Sequence, residues 1–109
     1  MTLHKDLAQG RWYTLSVCAQ LANIGSEFGR ACRAFHTQNE SRFTASFDRM
    51  HELLCLSVSD PRWSYHRKKE INRLKELVCY LFFEKTATKT LEASLEKDFY
   101  AYTLSARKR

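Results

Sequence analysis

The sequence predicts an all-α fold, an antiparallel up-and-down four-helix bundle, and three observations carry that prediction. Apolar residues recur at spacings of three and four along four separate stretches, the period of a helix that buries one face. The links between those stretches are only a few residues long, which makes sequential helices antiparallel neighbours. No alternating strand pattern, internal repeat or low-complexity segment interrupts them. With 109 residues, 44% of them apolar and 13% aromatic, the chain is long enough to bury one core, and residues 1–109 read as a single domain.

The first helix is expected from about Arg11 to His36, after a polar lead-in over residues 1–10. At 1.5 Å per residue it would span roughly 40 Å. It carries three stripes. Val17, Leu21, Ile24, Phe28, Ala31 and Phe35 form an apolar seam, and Cys18, Ala22, Gly25, Gly29 and Cys32 follow the same rhythm with small residues only. An interior glycine costs about 1 kcal/mol against alanine, so a neighbour should press closely on that face, and Ala22, Gly25 and Gly29 are its expected interface. The third stripe, Ser16, Gln20, Asn23, Glu27 and Arg30, is polar and fits either solvent or an interface, with Glu27 and Arg30 spaced to pair.

Thr37 to Glu40 make a turn, and Asn39 or Ser41 is placed to cap the second helix, whose seam is Phe43, Phe47, Met50 and Leu54, widened by Leu53, Leu56 and Val58. Ser59, Asp60 and Pro61 predict a tight corner, with Asp60 as cap and Pro61 in the first turn of a third helix running to about Lys85. Ile71, Leu74, Val78, Leu81 and Phe82 form its apolar side. Threonines in Thr86 to Thr90 are placed to cap a fourth helix bearing Leu91, Leu95, Phe99, Tyr102 and Ala106, which ends in the basic tail Arg107, Lys108, Arg109.

The formal charge of +6 is uneven. Residues 1–36 carry +2 and residues 37–60 carry −2, whereas residues 61–85 carry +4 and residues 86–109 carry +2. Arg62, Arg67, Lys68, Lys69, Arg73 and Lys75 crowd the start of the third helix against the single Glu70, with Trp63, Tyr65 and His66 interleaved. Cations beside aromatic rings suit phosphate binding and base stacking, so RNA or DNA is an expected partner. The same run also fits a solvated helix face, with Trp63 and Tyr65 closing the end of the bundle.

No apolar run approaches the roughly 20 residues of a membrane span, and Met1 to Gly10 lacks the apolar block of a signal peptide, so a cytoplasmic location is expected. Cys18, Cys32, Cys55 and Cys79 contain no C-x-x-C pair and are read as reduced core thiols. His51 and Cys55 stand one turn apart, like two ligands of a zinc helix, but no third ligand accompanies them and no metal or cofactor is expected. Phosphate loops, nucleophile elbows and paired catalytic carboxylates are absent from the pattern.

Arg30-Ala-Cys-Arg-Ala-Phe-His36 resembles the R-x4-6-H motif of HEPN ribonucleases, small helical bundles that act as dimers. That resemblance implies phosphate contact by Arg30 and proton transfer by His36, although Ala31 stands where the family usually has a polar residue and the motif lies in the first helix rather than late in the chain. Across most of the chain, Trp12, the run Gln20-Leu-Ala-Asn-Ile-Gly-Ser-Glu27 and Asp60-Pro-Arg-Trp63 are similar to a group of small bacterial four-helix proteins with no assigned activity. In architecture and charge the chain also resembles the four-helix accessory proteins of diversity-generating retroelements. That likeness implies an oligomeric, non-enzymatic bundle that holds nucleic acid or a protein partner. The reading the residues favour is therefore a binding protein, with ribonuclease activity as the alternative.

Overall fold

The computed structural model describes residues 10–84 and 89–107, and these form a four-helix bundle. The helices are α1 (Val17–His36), α2 (Glu40–Val58), α3 (Tyr65–Phe83) and α4 (Lys89–Arg107), preceded by a 3-10 turn over Arg11–Thr14. Sequential helices pack on one another and α4 returns onto α1, so α1 and α3 occupy diagonal corners. No helix among the described residues is long and apolar enough to cross a membrane. Predicted positions at residues 1–9, 85–88, 108 and 109, including Lys85, Thr86, Thr88 and the end of the basic tail, lie outside the described residues.

Two helix starts differ from the sequence reading. The first helix does not begin at Arg11, because Leu15 is extended and Ser16 caps α1 by accepting from the Ala19 amide at 3.1 Å. The preceding turn is thereby free to fold Trp12 inward until it is 1% exposed. Asp60 does not cap the third helix, which starts at Tyr65 under a Ser64 cap that accepts from the Arg67 amide. Asp60 instead turns its carboxylate into the protein, where a serine can hold the helix start and a carboxylate is needed elsewhere.

Between α1 and α2 the chain reverses in a tight motif. Gln38 takes a left-handed φ of 57°, the Asn39 amide reaches back to the Ala34 carbonyl and the Gln38 amide to that of Phe35. Asn39 then caps α2 through its side chain. Leu21, Ile24, Phe28 and Ala31 of α1 meet Met50, Leu53 and Leu54 of α2, the apolar side of α3, and Leu95 and Phe99 of α4 in one core. Phe35 is the exception on its seam, at 46% exposed.

The three stripes of α1 have different fates. An added Cβ on Gly25 would sit 2.8 Å from the Phe99 Cβ, so the close approach is to α4 of the same chain. Gly29 has only the tip of Arg33 near, at 3.5 Å, and Ala22 is half-buried. The small stripe is thus a tight contact at one glycine and open at the next. The polar stripe faces α2, since Gln20 is buried and Glu27 pairs with Arg30 at 3.2 Å and with Arg49 of α2 at 3.4 Å.

Candidate functional site

At the end of the bundle where the 3-10 turn, α1, α2 and the corner before α3 meet, buried polar groups satisfy one another. The Trp12 indole donates to Ser57 Oγ at 3.0 Å, and the Gln20 amide nitrogen donates to the Trp12 carbonyl and to Asp60 Oδ2 at 3.1 and 2.9 Å. Trp63 Nε1 donates to Gln20 Oε1 at 3.1 Å. Arg62 holds Asp60 through its backbone amide and its guanidinium, the shortest contact being 2.6 Å, and also donates to the Leu15 carbonyl. Burial pushes the Asp60 carboxyl up, but the Arg62 and Gln20 hydrogen bonds and the Arg62 charge outweigh it, so it sits below the usual carboxylate range.

This network accounts for two of the expected nucleic-acid contacts. Arg62 is spent on Asp60 and lies 4.3 Å above the Trp63 ring, covering one face of the indole. Trp63 is half-buried and hydrogen-bonded. Trp12, Gln20, Asp60, Arg62 and Trp63 are thus joined in one network that closes this end of the bundle. Farther along α3, Lys69 and Arg73 are exposed, Lys68 and Lys75 are half-buried, and Arg67 reaches Glu70 at 3.5 Å. His66, Lys69 and Arg73 line a shallow depression together with Glu70 and Glu76, which dilute its charge. Tyr65, 75% exposed, is the open ring beside Lys69.

A second basic surface has no counterpart in the sequence reading. The groove between the C-terminal half of α1 and the N-terminal half of α2 is lined by Arg30, Arg33, Arg42 and Arg49, over a floor that includes Ala34 and Ser46. Ala34 and Ser46 are buried, and such small side chains let the helices approach closely enough to gather the arginines. Glu27, with a side chain 14% exposed, positions Arg30 and Arg49. Arg33 and Arg42 have no carboxylate partner among the described residues. The signal was hidden because residues 37–60 are net acidic and the four arginines spread over two helices. Only the antiparallel turn brings them together.

Arg30 and His36 do not converge within the chain. Arg30 faces α2 in the arginine groove, whereas His36 faces α4 and places Nε2 2.8 Å from Glu92 Oε1. On the other ligand-type pair, Cys55 Sγ lies 3.9 Å from His51 Nδ1. The ligand-type groups close enough to share an ion, among the described residues, are instead Cys32, Glu92 and Glu96. All four cysteines are free thiols, Cys32 the most buried of them. No protein-family model, curated protein or solved structure significantly matches this chain, so residue geometry is what bears on function.

Proposed function

We propose that the protein is a non-enzymatic helical-bundle accessory protein of the cytoplasm that holds single-stranded RNA or DNA through its phosphates. One observation carries the reading: four arginines of α1 and α2 line a single groove with Glu27 as the one carboxylate that pairs with any of them among the described residues. Guanidinium groups match phosphate oxygens with paired hydrogen bonds, and neutralised phosphates release counterions. The exposed Lys69 and Arg73 of α3, with Tyr65 beside Lys69, form a separate and weaker basic patch. Exposed Phe35, Tyr80 and Phe83 supply apolar surface for a second copy or a protein partner.

The test is fluorescence anisotropy of short single-stranded RNA and DNA against the full chain at two salt concentrations. The parent should bind at micromolar protein, with affinity falling steeply as salt rises. Charge reversal of Arg33→Glu with Arg42→Glu should weaken binding and flatten the salt slope by roughly one to two, as expected for two lost phosphate contacts. Lys69→Glu with Arg73→Glu should act in the same direction and less strongly, because Glu70 and Glu76 already oppose those cations. A folded parent without salt-sensitive binding would sink this reading and leave an acidic protein partner.

A further inference from the structure

Cys32 is 4% exposed, and its thiol has no hydrogen-bond partner among the described residues. It opens onto α4. Cys32 Sγ and one oxygen from each of Glu92 and Glu96 all lie within 4.8 Å of one another. One turn beyond Cys32, His36 sets Nε2 2.8 and 3.1 Å from the two carboxylate oxygens of Glu92. Both helices therefore bring a pair spaced by four residues to the same contact, Cys32 with His36 from α1 and Glu92 with Glu96 from α4.

Two carboxylates and a buried thiol face each other across the contact between α1 and α4. Burial, then Glu92 and Glu96, push the Cys32 thiol up to about 12 against the opposing charge of Arg33. Burial, then the hydrogen bond and charge of Glu92, raise Glu96 as well. Positive charge reaches the cluster from exposed His36, which sits on Glu92, and from Arg33, which acts on the Cys32 thiol.

We propose that Cys32, His36, Glu92 and Glu96 form a tetrahedral site for a divalent ion of the zinc class. One sulfur, one imidazole nitrogen and two carboxylate oxygens are donors that zinc accepts together, while calcium and magnesium take oxygen alone. Zinc bonds of about 2.0–2.3 Å place tetrahedral donors roughly 3.4–3.7 Å apart, so Cys32, Glu92 and Glu96, within 4.8 Å of one another, must close by up to about 1 Å, and His36, which now meets Glu92, must swing farther to reach the same ion. The glutamate side chains and the His36 ring, 53% exposed, are free to make that adjustment. The thiol gives its proton to solvent as the metal–sulfur bond forms. Four protein ligands leave no open position, so the ion is a clasp joining the end of α1 to the start of α4. It owes nothing to the nucleic-acid reading.

Chelator-treated full-length protein titrated with Zn2+, and with Co2+ as the spectroscopic probe, tests the site. One equivalent should bind at micromolar concentration, Co2+ should show a thiolate charge-transfer band with visible bands of four-coordinate intensity, and Zn2+ should raise the melting temperature. Cys32→Ser should abolish the charge-transfer band. Glu96→Gln, at an exposed position where the fold is safe, should weaken Zn2+ binding by roughly tenfold or more, with circular dichroism unchanged. Cys55→Ser should leave binding as in the parent. The proposal is overturned by no stoichiometric uptake, by a Co2+ complex without a thiolate band, or by uptake that survives Cys32→Ser or Glu96→Gln in folded protein.

Discussion

Asp60 is a fully buried carboxylate two residues from the arginine that neutralises it, and it shows what one side chain can hold together. Without it, the Gln20 amide loses one of its two acceptors, the Arg62 backbone amide loses its acceptor, and the Arg62 guanidinium keeps only the Leu15 carbonyl. Asp60→Ala should cost roughly 3 kcal/mol, the low end for a broken buried pair, because the Arg62 side chain is 38% exposed and can turn to water. Urea denaturation of parent and variant measures it, and a loss below about 1 kcal/mol would refute the network's weight. The sign of the pH effect follows from the lowered carboxyl. Its stabilisation is complete above the ordinary carboxylate range and disappears as pH falls through that range toward the lowered folded value. Asp60→Asn should therefore flatten the acid limb of the stability profile while leaving its alkaline side alone.

Helix α1 separates what periodicity can say from what it cannot. Its apolar seam up to Ala31, the Glu27 to Arg30 pair and a cap at Asn39 or Ser41, which proves to be Asn39, were legible, because each depends on local spacing. Its true start was not, because Ser16 and Ser64 act as caps only once Trp12 and Asp60 have found partners 45 and 40 residues away. The two glycines make the same point. Spacing assigned them to one close contact, yet Gly25 abuts Phe99 and Gly29 does not abut another helix. Gly25→Ala should destabilise the protein by about 1–3 kcal/mol through forced displacement of α4. Gly29→Ala should stabilise it by up to about 1 kcal/mol, since the helix gains propensity and the Arg33 tip can move. Thermal melts of the two variants shifting in the same direction would contradict this geometry.

For the whole molecule, both candidate sites arise from helix neighbours that no local pattern announces: the arginine groove from α1 beside α2, and the Cys32 cluster from α1 beside α4. α1 is thus the common wall of each, and its small residues allow close backbone approach on those sides. The diagonal helix α3 is held differently, by large rings. Phe82 lies 5.0–6.2 Å, centroid to centroid, from Phe28 and Phe35 of α1 and from Phe43 and Phe47 of α2, and Phe83 adds contacts to the last two. Ring contacts of this kind exceed simple area burial by about 0.5–1.5 kcal/mol per pair, so much of α3's attachment at its C-terminal end runs through one side chain. Phe82→Ala should then cost roughly 3–5 kcal/mol, and the loss should be uneven. Amides of α3 should exchange with solvent faster by the largest factor, while the α1 and α4 amides around Gly25 and Phe99, whose contact does not involve Phe82, should keep most of their protection relative to the new global stability. Hydrogen exchange that accelerates equally in all four helices would mean that the bundle opens only as a unit and that Phe82 secures no helix in particular.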